Sequence, residues 1–184
     1  MNKLDEFVNL LVGKFNNKEQ FEKMKEEGKE YPYCEHLNNI FNDKIKNLPK
    51  DFKGVFIVEE SYYTSNNNTH ASPHIFLFEL EGEKDVKLTS FEIPEVYDKV
   101  KFTYEELKEI DFNDLKESTK FVPAIYKENN GVWEGGSVSM FNPVLKFTLF
   151  EKFSDEVLEV EEKMEVNGKK TFGFDDPILY KREK

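Results

Sequence analysis

The sequence predicts a mainly β protein in which one antiparallel sheet curls into a barrel. Roughly eight or nine short apolar segments follow one another with the alternation of strands. Two of the connections, Asn129-Asn130-Gly131 and Asn167-Gly168, are strong hairpin turns. There is no second apolar core, internal repeat or low-complexity linker. We therefore expect residues 1–184 to form a single domain.

The first thirty or so residues have helical spacing. Apolar residues from Leu4 to Leu11 recur every three or four positions, with Asn2 as a cap and Gly13 as a stop. A second helix is expected after Asn17, because Gln20 stands three positions later and completes a capping box. We expect these helices to form a plug or lid on the barrel.

After Pro32 the period becomes that of strands. Strands are expected over 33–41, 53–63, 73–81, 86–93, 119–126, 132–139, 144–153, 157–166, 169–174 and 178–182. Residues 64–72 are predicted to be a long polar loop, and a further capping box predicts a helix that begins near Thr103. Gly135-Gly136 indicates a bulge or a place where two backbones come close.

The strand over 53–63 carries the clearest signal of a site. It is apolar on both faces at first and then turns polar, ending in Glu59, Glu60, Ser61 and Tyr62. Neighbouring residues in a strand point to opposite faces, so one glutamate is expected to face the interior. A buried carboxylate needs a partner, and it could bind a cationic or hydrogen-bonding group of a ligand. The alternative is a strand end in solvent.

Composition excludes several classes of partner. The formal net charge of −11 argues against binding to nucleic acid and to an anionic membrane. The N-terminal residues have neither the pattern of a signal peptide nor that of a membrane span. A single cysteine, Cys34, permits no intrachain disulfide, and we expect a cytoplasmic protein.

Histidines and aromatic residues give weaker signals. Cys34, His36, His70 and His74 could together form a zinc site, although the paired spacing of such sites is not evident. Cys34 lacks the local surroundings of a nucleophile. Several aromatic residues, Trp133 among them, lie on predicted strands. They either fill the barrel or line a cavity for a flat apolar ligand, and the sequence leaves both alternatives open.

Four segments resemble the CpeT/CpcT family, the T-type bilin lyases that attach tetrapyrroles to phycobiliproteins. Residues 11–20 resemble the opening G-x-F-x-N-x-x-Q motif, and His36 stands where the family has a histidine. Residues 52–62 are similar to the G-x-Y-x-E-Q-x-Y strand, and residues 167–178 are similar to the closing hairpin.

The resemblance implies a lipocalin-like barrel with a bilin-sized pocket, a client protein and a possible homodimer. It implies that Glu60 and Tyr62 face the pocket, where Glu60 would accept from the pyrrole nitrogens. His36 and His74 would then meet the propionates. The strand over 73–78 has no arginine where the family usually has several. The alternative is therefore a non-catalytic binding or structural barrel, and the resemblance leaves open whether the protein is an enzyme.

Overall fold

The computed structural model describes residues 2–183. Two helices precede most of the strands, and strands make up most of the regular structure. Their bounds are α1 Lys3–Leu11, β1 Gly13–Asn16, α2 Lys18–Glu26, β2 Tyr33–Ile40, β3 Ile45–Lys46, β4 Val55–Ser65, β5 Asn68–Glu81, β6 Asp85–Phe91, β7 Ile110–Asp111, β8 Ala124–Asn129, β9 Val132–Met140, β10 Leu145–Phe153, β11 Leu158–Val166, β12 Lys169–Phe172 and β13 Ile178–Arg182.

Ten antiparallel strands close into a barrel. Their order is β10-β9-β8-β6-β5-β4-β2-β1-β13-β11, and pairing between β10 and β11 completes the ring. β12 forms a hairpin extension on β11, whereas β3 and β7 form a separate parallel pair. The fold class predicted from the sequence is confirmed, and the architecture is consistent with a lipocalin-like barrel with flanking helices.

The two asparagine-glycine hairpins form as predicted. Asn130-Gly131 and Asn167-Gly168 all have positive φ, between 51° and 81°, as the two-residue hairpin turn requires. The close approach expected at Gly135-Gly136 is also present. A Cβ on Gly135 would meet the carbonyl oxygen of Ile125, and one on Gly136 would meet that of Leu149.

Helix α1 plugs one end of the barrel, and Phe7 lies at the centre of the plug. The ring of Phe7 is 5.0–5.2 Å from the rings of four interior residues, which are Phe78, Tyr126, Trp133 and Phe153. Asn2 caps the helix as predicted: its side chain accepts from the Asp5 amide at 2.9 Å. Burial of Phe7 among these rings fixes the helix in the barrel end.

The last barrel strand holds this plug in place. Arg182 on β13 donates from its guanidinium to the carbonyl oxygens of Asn9 and Leu10, at 3.1 and 2.8 Å, and also to that of Val12. These carbonyls belong to the C-terminal end of α1, where a cation is favourable. β1, the short strand after α1, pairs with both β2 and β13.

A second apolar layer lies outside the barrel. Residues 92–118 cross the outer faces of β4 and β5 and bury a cluster that includes Phe56, Val58, Phe102 and Leu107. The barrel interior forms a separate cluster that includes Ile57 and Phe76. Even-numbered residues of β4 therefore face the outer layer, and odd-numbered ones face the interior.

Three predictions about local structure are wrong. In residues 2–183 no α-helix occurs after Glu26: Thr103 accepts from the Glu106 amide at 3.3 Å, but the turn does not continue. Residues 64–72 form the tip of a hairpin whose turn is Asn66-Asn67, both with positive φ. Asn17 does not cap α2, because its side chain bonds the backbone of Cys34 and of Pro32.

Neither helix found in residues 2–183 has the length and apolar composition that a membrane span requires.

Candidate functional site

A cavity of about 190 Å³ opens at the end of the barrel opposite α1. We call it the mouth pocket. It lies between the β4–β5 hairpin tip and the β11–β12 hairpin. Its lining residues are His70, Ser72, His74, Phe121, Phe141, Phe147, Glu162, Met164 and Phe172.

The wall of the mouth pocket is aromatic. Phe121 contacts Phe141 and Phe147 edge to face, with ring centroids 5.0 and 5.5 Å apart. Phe141 and Phe147 are nearly parallel at 5.9 Å. Phe172, across the opening, is 36% exposed, so an apolar surface faces water here. Rings that border a concave, open space are typical of a ligand pocket rather than of a filled core.

Polar side chains form the floor. The Tyr63 hydroxyl donates to Glu162 Oε2 at 2.7 Å, and no hydrogen bond to Glu162 Oε1 occurs in residues 2–183. Ser72 Oγ lies 3.0 Å from His74 Nε2, and the His74 ring stacks on Phe76. Burial is the main reason why the pKa of Glu162 is raised above its usual value.

Beneath the floor lies a buried ion pair between neighbouring strands. His36 Nε2 on β2 is 3.3 Å from Glu59 Oε2 on β4. The N–H does not point at that oxygen well enough for a hydrogen bond, and Nε2 has no other acceptor in residues 2–183. On its other side, His36 Nδ1 is 3.0 Å from Ser61 Oγ.

The two members of this pair favour each other's charged form. Burial opposes the charge on His36, but the Glu59 carboxylate outweighs it and the pKa of His36 is raised. Burial likewise opposes the charge on Glu59, but His36 outweighs it and the pKa of Glu59 is lowered. A buried charged pair is thus the stable state of this layer.

A third interior carboxylate, Glu151 on β10, is 5% exposed and accepts a hydrogen bond from the Tyr126 hydroxyl. Burial, and then the negative charge of Glu59, raise the pKa of Glu151 to about 7. Glu151 therefore changes protonation state near neutral pH. The interior carries three carboxylates, on Glu59, Glu151 and Glu162, against the two imidazoles of His36 and His74.

Two of the predicted site residues do not face the barrel interior. Glu60 and Tyr62 lie on the outer side of β4, under residues 92–118. Glu60 Oε1 accepts from the Tyr104 amide at 3.0 Å, and Oε2 accepts from the Tyr62 hydroxyl at 2.6 Å. The prediction that Glu60 and Tyr62 face the pocket is corrected: the interior glutamate of the pair is Glu59. Glu60 instead attaches the outer segment to the barrel.

The other predicted site residues do lie inside the barrel, at different depths. His74 lines the mouth pocket, and His36 lies beneath it in the buried ion pair. Trp133 lies at the opposite end of the barrel and is 2% exposed. Its ring centroid is 5.1 Å from that of Phe7. Trp133 is thus part of the filled core, whereas the phenylalanines at the other end of the barrel line an open cavity.

Glu151 and Glu162 were not predicted as site residues, although each leaves a signal in its strand. In β11, Leu158, Val160 and Met164 alternate inward, and position 162 falls on the same face. Glu151 likewise stands two residues before the buried Phe153. A charged residue at an apolar position of a clear alternation marks an interior site.

Cys34 and the histidines do not form a metal centre. In residues 2–183 no group of three or more His, Cys, Asp and Glu side chains is placed to hold a metal ion. Cys34 is completely buried, and burial is the main reason why the pKa of its thiol is raised to about 12. A thiol of this kind is a structural residue rather than a nucleophile.

These features define a closed ten-stranded antiparallel barrel with an apolar plug at one end, a buried acidic layer and an aromatic mouth. Neither a scan against protein-family models, nor a search of curated proteins, nor a search of solved structures gave a match to the chain. Membership in the CpeT/CpcT family stays a prediction from the motifs.

Proposed function

We propose that the protein is a binding barrel that holds a flat, largely apolar ligand in the mouth pocket. The observation that carries this proposal is the group of phenylalanines around an open cavity, with Glu162 at its floor. Covering the phenylalanines with an apolar ligand lowers the free energy, because apolar surface is removed from water. Oε1 of Glu162 accepts no hydrogen bond within residues 2–183, so it can accept one from a ligand N–H or O–H group and orient the ligand.

A tetrapyrrole is one ligand of this kind, and the sequence resemblance suggests it. Glu162, rather than Glu60 as the resemblance implied, would accept hydrogen bonds from the pyrrole N–H groups. The cavity of about 190 Å³ accommodates one ring system rather than a whole tetrapyrrole, so the remaining rings would lie at the rim. A lyase of this type would hold the reactive vinyl carbon near a thiol of a client protein.

The non-catalytic version has more support. Among residues 2–183 no lysine or arginine lines the mouth pocket, so within this part of the chain the propionates of a bilin would have His70 and His74 as partners. Ligand binding without group transfer requires nothing beyond the aromatic wall and the floor.

A titration with 2-naphthol, a flat neutral probe, tests the proposal. Amide NMR shifts are expected to move for residues 70–72, 74 and 162–172 and to saturate. Phe147→Ala should weaken binding about tenfold, because it removes one aromatic wall. Phe150→Ala is the matched control, since Phe150 lies on the same strand but faces out and is 39% exposed. Equal weakening by both variants, or no saturable shifts, would contradict the proposal.

A parallel titration with biliverdin tests the tetrapyrrole version. A shifted absorption band that Glu162→Gln weakens, and that Glu60→Gln leaves unchanged, would support it. Binding of 2-naphthol without any change in the biliverdin spectrum would support the binding barrel and contradict a tetrapyrrole as its ligand.

A further inference from the structure

The mouth pocket has a marked imbalance of charge. Glu162 lies at its floor, and beneath it the charged His36 balances only one of two further carboxylates, those of Glu59 and Glu151. Both interact electrostatically with Glu162. The part of the lining that residues 2–183 supply contains no lysine or arginine, and the whole chain has a net charge of −11. The field at the pocket therefore favours a positive ligand.

The aromatic wall favours the same kind of ligand. The faces of aromatic rings attract cations, and a desolvated ring pocket strengthens the attraction. Phe121, Phe141 and Phe147 form one such group, and Phe172 lies across the opening. None of these phenylalanines carries a cation of the protein over its ring: the two cation–ring contacts in residues 2–183 are at Tyr104 and Phe15.

The free oxygen of Glu162 supplies the anchor. Oε2 is occupied by the Tyr63 hydroxyl, which fixes the carboxylate, and Oε1 is left to accept from a ligand. An ammonium group here would form a charge-assisted hydrogen bond and sit next to the rings. The geometry joins one fixed carboxylate with a wall of rings, as in sites that recognise organic ammonium ions.

We propose that the mouth pocket is selective for an organic cation, an ammonium group on a small flat apolar body, with its nitrogen at Glu162. This inference rests on the proposed binding function and adds the charge of the ligand. It also predicts that anionic ligands of the same shape are rejected, because no lysine or arginine of residues 2–183 lines the pocket to pair with them.

Three probes with one ring and different charges test the inference: benzylamine, benzyl alcohol and benzoate, followed by amide NMR at pH 7. Benzylamine should bind about tenfold more tightly than benzyl alcohol, and benzoate should not bind. Glu162→Gln should abolish the difference between the first two while keeping benzyl alcohol binding. Gln can still accept from Tyr63, so the floor keeps its shape.

Glu159→Gln is the matched control, because Glu159 is on the same strand but faces away from the interior. It should retain the preference for benzylamine, since it removes one unit of charge without touching the pocket. Equal binding of benzylamine and benzyl alcohol to the wild type would overturn the inference and leave the binding function intact. Preferred binding of benzoate would also overturn it and point to His70 and His74 as the anchors. Absence of binding by all three probes would overturn the inference and, together with a failed 2-naphthol titration, the binding function itself.

Discussion

Glu59 and Glu60 are neighbours in one strand, both are buried, and they are stabilised in different ways. Glu59, 8% exposed, faces the barrel interior and is balanced by the buried imidazole of His36. Glu60, 6% exposed, faces the outer layer and accepts one backbone amide and one phenolic hydroxyl. The same residue type therefore forms a charged layer under a pocket on one face and a tether for a long segment on the other.

The difference lies in what each face offers as a partner. The interior is lined mainly by side chains, because the backbone groups of neighbouring barrel strands pair with each other in the sheet. A carboxylate there depends on other side chains for neutralisation. The outer face is crossed by an irregular segment whose amides are not paired in a sheet, and the amide of Tyr104 donates to Glu60. Backbone donors satisfy Glu60 without a counter-charge.

The largest expected effect comes from removing the interior counter-charge. His36→Leu leaves Glu59 buried without its partner, and we expect a loss of about 3–5 kcal/mol in the free energy of unfolding. The lowered pKa of Glu59 means that its contribution is lost as pH falls from about 4.5 through its folded value. The raised pKa of His36 means that its contribution is lost as pH rises above 6.5.

Urea denaturation between pH 4.5 and 6.5 should therefore give the greatest difference between wild type and His36→Leu. His70→Leu is the control, because His70 is exposed at the hairpin tip and should change the free energy of unfolding by less than about 0.5 kcal/mol. Similar losses in both variants would show that the buried pair has no special weight.

The second effect depends on Glu151 and pH. In the folded protein its pKa is about 7, against 4.5 for an ordinary glutamate. The unfolded chain thus loses this proton first, and stability falls as pH rises from about 4.5 to 7. The cost is complete above pH 7, at about 3 kcal/mol. Tyr126 and His36 oppose this shift, whereas Glu59 and Glu162 enlarge it.

Glu151→Gln removes the titration and keeps an acceptor for Tyr126. The variant should therefore gain stability relative to the wild type between pH 5 and pH 8, as followed by thermal or urea unfolding at each pH. Glu134→Gln, an exposed position on β9, should follow the wild-type curve. Parallel curves for Glu151→Gln and wild type would mean that Glu151 is already charged at pH 5.

The smallest effect is expected on the outer face. Glu60→Gln removes the charge from the hydrogen bond to the Tyr104 amide, and we expect a loss of about 1–2 kcal/mol. The change should appear locally, as faster hydrogen exchange of amides near residues 104–107, while 2-naphthol binding stays the same. Weaker 2-naphthol binding in this variant would contradict the separation of the two faces of β4.

The sequence predicted the barrel because its hairpins depend on local signals. Asn130-Gly131 and Asn167-Gly168 specify turns by backbone conformation alone, and β11 alternates clearly. β1 was not predicted, since four residues are too few for a periodic signal. The helix expected at Thr103 was wrong although Leu107 and Ile110 have helical spacing, because both residues pack with Phe102 in the outer layer of the barrel. Tertiary packing, rather than local helix signals, determines the conformation of that segment.

The site was harder to predict than the fold for one physical reason. β4 is buried on both faces, so hydrophobicity could not show which of Glu59 and Glu60 faces inward. In β10 and β11, which have one polar face, the alternation itself marks positions 151 and 162 as interior. Sequence reasoning locates buried carboxylates in such strands, but it cannot do so where a long loop covers the outside.

The position of β13 has a consequence for how the protein reaches its native state. β1 is held between β2 and β13, and the Glu183 amide donates to the carbonyl oxygen of Lys14 at 2.8 Å. The ring cannot close until residues 178–182 meet residues 13–16, a contact between strands far apart in the sequence. Contacts of this kind form slowly, so we expect the acidic layer to lose its water late in folding.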